Sequence, residues 1–282
     1  MDNISFGKYT PNNTFIHKLD SRNKLFLTLF MTVIIFLKFN DWPFTLLMSG
    51  IYLVLLLTLM IISKVKLGSL LKALSGMWMM FLFIFIIYIF IPNASLESPV
   101  AFSIGKLDVK LFAIYQAIYI LLRIFIMLSL MMILTSTTTP MELTGAFEWY
   151  GTPLKKIKFP VNEISMTLSI AIRFIPTLIE ETSRIIKAQE SRGVDFSKGG
   201  LAKKTKMIAS LIVPLFVSAI NRSEELSDAM EVRGYDPKAE RTKYKRLTFS
   251  WRDLLAFVLV IAFGTLIIVL RVKDKTVPIS LM

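Results

Sequence analysis

Residues 111–134 read LFAIYQAIYILLRIFIMLSLMMIL, an unbroken apolar run of 24 residues whose one charge is Arg123. A helix needs only about 20 such residues to cross the hydrocarbon core of a bilayer. The run therefore decides the class: an integral membrane protein. Four further runs lie around it. Upstream are Leu25–Leu37, extending to Phe39, then Phe44–Ile62 and Ala73–Ile91; downstream is Leu254–Leu270. The expected fold is all-α, with about five transmembrane helices. Three segments follow: 1–134 with an N-terminal stretch and four spans, 135–250 rich in charge, and 251–282 with the fifth span and a tail.

Composition agrees and excludes other classes. The 282 residues are 54% hydrophobic, with mean hydropathy +0.62, above the apolar share of soluble domains. Cysteine is absent and His17 is the only histidine, so thiolate sites and histidine-built metal sites are excluded and no metal is expected. The first 24 residues are polar and lack the apolar core of a cleavable signal peptide. The net charge of +13 reads as cytoplasmic loop charge, not as a nucleic-acid surface. Lys18, Arg22 and Lys24 before the first span, and Lys64, Lys66 and Lys72 after the second, put the N-terminus and residues 135–250 on the cytoplasmic side. Residues 93–110, a loop of balanced charge, then face outward, as does the tail despite Arg271, Lys273 and Lys275.

Residues 135–250 hold 18 basic and 13 acidic side chains. Their apolar residues fall in two stretches, Ile164–Ile186 and Met207–Met230, containing Pro176 and Pro214. Both read as long amphipathic helices forming a cytoplasmic platform. The rival reading makes Met207–Ile220 a sixth span, which would place the two motifs described next on opposite sides of the membrane.

Each stretch closes on the same pattern. Ala188-Gln189-Glu190-Ser191-Arg192-Gly193-Val194-Asp195 recurs as Ala229-Met230-Glu231-Val232-Arg233-Gly234-Tyr235-Asp236. Glycine after the last turn and a cation within it are ordinary helix-terminating features. Capping does not require the repeated glutamate, arginine and aspartate, so a pair of binding ends is the favoured reading. Each guanidinium can fork onto a partner carboxylate, with Glu190 and Glu231 orienting the arginines or pairing across the interface.

The two motifs resemble the paired Ala-Arg-Gly signatures of the transmembrane T subunits of energy-coupling-factor (ECF) vitamin transporters, with Ser191 and Val232 in place of alanine. Thr14–Leu25, with His17, Leu19, Asp20, Arg22 and Lys24, is similar to the N-terminal pattern of that family. Thr137–Leu143, Arg173-Phe174-Ile175-Pro176 and Arg123 resemble further family features. The resemblance implies two ABC-type ATPase subunits beneath the chain, each receiving one Arg-Gly end, with the motif helices crossing in an X. It also implies a small vitamin-binding membrane S subunit on the apolar face of those helices. ATP and Mg would be bound by the partner ATPases, and the chain itself would hold no cofactor.

This chain contains no Gly-x-x-x-x-Gly-Lys-Ser/Thr loop, so ATP would have to be hydrolysed by another chain; the resemblance implies a non-enzymatic energy-coupling scaffold in a bacterial plasma membrane. Met207, Leu211, Leu215 and Met230 are the candidate docking residues for the S subunit, methionine giving an adaptable surface. Arg123 is expected to be structural, bonded to carbonyls or a neighbouring helix, since an unpaired mid-span arginine is costly. The alternative is a membrane enzyme acting on lipid or polyprenyl substrates. It would draw on the pairs Glu180-Glu181 and Glu224-Glu225, which read instead as solvated helix faces. A self-contained carrier would need inverted repeats of spans, and none is seen. The cluster Lys238, Arg241, Lys243, Lys245 and Arg246 reads as contact with anionic lipid; no nucleic-acid module is present.

Overall fold

The structure, a computed structural model, describes residues 9–37, 39, 42–65, 67–90, 100–104, 107–193, 201–236, 239 and 248–276. Among these the chain is all-α apart from one hairpin. The helices are α1 Ser21–Ile35, α2 Trp42–Ser63, α3 Leu67–Ser75, α4 Trp78–Phe90, α5 Leu111–Thr137, α6 Pro140–Gly151, α7 Val161–Ser191, α8 Leu201–Val232 and α9 Trp251–Thr276, with a 3-10 turn at Thr152–Ile157.

Three of the described helices are long and apolar enough to cross a membrane: Phe44–Ser63, Ala113–Thr137 and Trp251–Lys273. The remaining apolar helices, α1 and α4, are shorter, at 15 and 13 residues. The run expected as a single span over Ala73–Ile91 is divided. Residues to Ser75 belong to the short α3, Gly76 and Met77 turn, and α4 begins at Trp78. The segment expected as a loop over 93–110 carries β1 Val100–Ile104 paired antiparallel with β2 Leu107–Lys110. Its apolar–polar alternation (Phe102-Ser103-Ile104, Leu107-Asp108-Val109-Lys110) is the period-2 signal of strands. Met207–Ile220 lies inside α8, which is not among the helices apolar enough to span.

Packing separates two units, Met1–Ala146 with Leu247–Met282, and Phe147–Arg246. In the first, α5 packs against α1, α2 and α4, and α9 packs against α1. The shared core includes Ile34, Leu56, Leu70, Ile126, Leu130 and Ile267. A Cβ on Gly264 would overlap Ile34 Cδ1 and come within 2.5 Å of Phe30 Cε1, so α9 meets α1 through a small residue. Helix pairs in lipid associate by such close approach, because lipid tails are as apolar as leucine. For the same reason Leu29, Val54, Ile61 and Leu259 can point outward. Hydroxyls in these helices donate to their own backbone four residues earlier, as Thr32 to Thr28 O and Thr137 to Ile133 O, both 2.8 Å. α5 ends at Thr137, and α6 opens with a reciprocal cap. Glu142 N–H donates to Thr139 Oγ1 and Thr139 N–H to Glu142 Oε2, each 3.3 Å, with Pro140 at the first position.

In the second unit α7 and α8 pack on each other. At 31 and 32 residues they are longer than their apolar stretches, and both prolines lie inside them, so neither helix starts at its proline.

Candidate functional site

Both copies of the repeated motif fall where a helix stops. α7 ends at Ser191 and α8 at Val232, and the glycine two residues later adopts positive φ, +86° at Gly193 and +68° at Gly234. The space beside each glycine is open. Backbone conformation, not crowding, therefore selects glycine. At α8, Tyr235 N–H reaches Met230 O at 3.0 Å and Gly234 N–H reaches Glu231 O at 2.9 Å, the two bonds of a Schellman cap. α7 repeats the inner bond, Gly193 N–H to Glu190 O at 2.9 Å. Val194 and Asp195 lie outside the described residues.

The cap accounts for the glycines and leaves the arginines uncommitted. Arg192 and Arg233 are exposed, and among the described residues their guanidiniums make no hydrogen bond or ion pair. Glu190 and Glu231 are exposed and form no ion pair with them among the described residues. Ser191 is exposed and donates to Lys187 O at 3.0 Å, while Val232 is 88% exposed. Each helix end thus offers a bidentate cation beside a small or apolar side chain, with no partner among the described residues.

The middles of both helices carry exposed apolar stripes. On α7 these are Ile164, Leu168, Ile175 and Ile179; on α8, Ile208, Ile212, Phe216 and Ile220, with Val213 and Val217 beside them. Spacings of four and seven keep each stripe on one face. Of the residues singled out from sequence, Leu211, Leu215 and Met230 are half-buried, and the side chain of Met207 lies outside the described residues. The more exposed members, Ile212 and Phe216, were legible from the same periodicity.

Glu181 does more than the sequence reading assigned it. Ser218 Oγ donates to Glu181 Oε1 at 2.5 Å, and Arg222 Nη2 stands 3.6 Å from Oε2. Arg222 also lies over the Phe174 ring, 5.6 Å from its centroid. α7 and α8 are thereby clasped by a charge-assisted network. The signal was available: Phe174 and Glu181 are seven apart and Ser218 and Arg222 four apart, so each pair shares a helix face.

In the first unit, Arg123 Nε donates to Ile35 O at 2.9 Å, and its guanidinium lies over Phe36 at 4.5 Å and Tyr119 at 5.2 Å. Ile35 is the last residue of α1, and Lys24 to Ile35 rises only about 16 Å at 1.5 Å per residue. That is roughly half of a ~30 Å hydrocarbon core. The carbonyls of Thr32, Val33 and Ile34 are taken by the Phe36 and Leu37 amides; Arg123 supplies the donor for Ile35 O, and its charge suits the negative end of the helix dipole. No group of three or more metal-ligating side chains occurs among the described residues.

The family described as CbiQ, cobalt transport protein, matches residues 12–244, a range that includes both motif copies. Over 271 residues the chain is 40% identical to the energy-coupling factor transporter transmembrane protein EcfT of Bacillus subtilis (strain 168), covering 96% of this chain and 99% of that protein. It is 39% identical to EcfT of Brevibacillus brevis over 94% of this chain and 98% of the relative. For EcfT of Staphylococcus aureus the identity is 37%, over 95% of this chain and 97% of the relative. These relatives carry the names of transporter membrane components, not of enzymes. A match of this extent, with paired helix ends of common geometry and a set of membrane-length apolar helices, places the chain in the family of energy-coupling factor transporter transmembrane proteins, EcfT.

Proposed function

We propose that Arg192-Gly193 and Arg233-Gly234 are the two ends through which a pair of ABC-type ATPase subunits grips this chain. ATP and Mg belong to those subunits. The exposed stripes of α7 and α8 receive a vitamin-binding S subunit, and nucleotide-driven motion of the ATPases passes along the two helices to it during uptake. The N-terminus and residues 135–250 then lie on the cytoplasmic side of a bacterial plasma membrane, where ATP is. Residues 135–250 act as the coupling region between a membrane segment, 1–134, and the last span and tail, 251–282. Arg123 is a structural intramembrane residue.

The observation that carries this reading is the matched pair of capped helix ends whose arginines have no bond among the described residues. Two equivalent cationic tips suit two equivalent acidic grooves, as a near-twofold ATPase pair would present. The lipid-enzyme alternative loses support, since Glu181 is engaged by Ser218 and Arg222.

The test is composition. The chain is tagged, extracted in mild detergent and purified, and its partners are identified and weighed. Two ATPase copies and a small hydrophobic protein per chain are expected. A chain that purifies alone, or turns over a lipid without ATPases, contradicts the proposal.

A further inference from the structure

The second unit connects to the first at two points of the chain, after Ala146 and before Leu247. The first-unit residues flanking both points converge on one buried polar cluster. On the outgoing side, Thr137 O, at the end of α5, accepts Lys24 Nζ at 2.8 Å, and Ser136 O accepts Thr10 N–H at 3.1 Å. The Thr139–Glu142 cap of α6 follows directly. On the returning side, Asp253 in the first turn of α9 is fully buried. Its Oδ2 accepts Ser250 N–H at 2.8 Å and its Oδ1 accepts Asp20 N–H at 2.7 Å. Asn23 Nδ2 donates to Asp253 O at 2.8 Å. Lys24 is 5% exposed and also donates to His17 O at 3.1 Å. One strap, residues 9–24, is therefore bonded to both connecting segments.

Helix capping alone does not require this. A cap at Ser250 uses one oxygen of Asp253; the other is committed to a backbone N–H 233 positions away. Lys24 serves the last carbonyl of α5, not its own helix. Burial pushes Lys24 down to about 8 despite the opposing pull of Glu142, Asp253 and Asp20. A buried polar network of this kind costs desolvation that apolar packing would avoid; what it supplies is a single fixed geometry.

We propose that Lys24 and Asp253 are positioning residues for energy coupling: they pin the outgoing and returning segments to α1 as one anchor, so that displacement of residues 147–246 reaches the membrane helices instead of being absorbed at two loose joints. This rests on the coupling function proposed above, but concerns residues that the ATPase-gripping ends do not include.

The chain has no cysteine, so nitroxides at Met141 and Trp251, exposed in the first turns of α6 and α9, report the separation of the two segments in the purified complex. Asp253→Asn keeps the shape and one acceptor oxygen but turns the other into a donor facing an N–H. Lys24→Met removes both carbonyl bonds, and Lys24→Arg restores a donor. A narrow distribution is expected for the parent and Lys24→Arg, and a broad one for Asp253→Asn and Lys24→Met. ATPase copurification should stay within about twofold of the parent, the range for independent sites. Uptake of labelled B vitamins into proteoliposomes should fall about tenfold or more, the effect of losing one charge-assisted hydrogen bond. Unchanged separation and uptake in Asp253→Asn overturn the anchor, as does loss of ATPase copurification in both Asp253→Asn and Lys24→Met, which would make the cluster a requirement of folding alone. A parent chain that brings down no ATPases overturns the coupling reading instead.

Discussion

A buried lysine bonded only to carbonyls has a measurable signature. Lys24 sits at about 8 against its ordinary 10.5, chiefly through burial, with Glu142, Asp253 and Asp20 acting in the opposite direction. Beside it, burial also lowers His17. His17 Nε2 lies 3.0 Å from Thr10 O, which can only accept, so Nε2 carries the proton and Nδ1 receives the Thr14 hydroxyl at 2.6 Å. Because the folded-state value of Lys24 is depressed, the folded chain releases that proton first. Between about pH 8 and 10.5 the unfolded chain binds more protons, and stability rises with pH. At 1.36 kcal/mol per unit the ceiling is about 3 kcal/mol. In detergent, the thermal midpoint of the parent should gain on that of Lys24→Met as pH rises from 8 to 10; parallel curves would contradict the burial of this amine. This cluster was barely legible from residue patterns. Lys24 read as orientation charge and, with Asp20, as part of the N-terminal pattern, and nothing marked Asp253, since only the fold brings residues 20, 24, 137 and 253 together.

Helix ends were easier to read than helix interiors. A glycine after Glu-x-Arg announces a left-handed cap at both sites, and the backbone adopts it at both. An L side chain at positive φ costs about 1–2 kcal/mol. Gly234→Ala should therefore loosen the cap, with the Tyr235 amide exchanging about tenfold faster for each 1.4 kcal/mol lost, and Gly234→Asn less so. Equal protection in Gly234→Ala and the parent would show that the positive φ is not needed. By contrast, where α1 stops was not legible, because Phe36, Leu37 and Phe39 are as apolar as the residues before them. There Arg123 meets Ile35 O from another helix, a pairing 88 residues apart. The α3–α4 break at Gly76-Met77 was likewise hidden inside an apolar run, whereas α2, α5 and α9 declare themselves by length alone.

For the whole molecule, the class, the family and the position of both motif ends follow from patterns local in sequence. The clasp at Glu181 and the anchor at Asp253 depend on pairings 37 and 233 residues apart, beyond the reach of periodicity. The central claim is that two arginines with no bond among the described residues are the grip of two external motors. It is tested most directly by ATPase association with the Arg192→Ala/Arg233→Ala chain in the same membrane extract as the parent. Truncating an interface arginine anchor typically costs 2 kcal/mol or more, roughly thirtyfold in affinity. The account predicts that each single substitution weakens copurification by about that factor, and that the double substitution abolishes it and vitamin uptake while the thermal midpoint is unchanged. A doubly substituted chain that brings down both ATPases in normal amount and still drives uptake contradicts it.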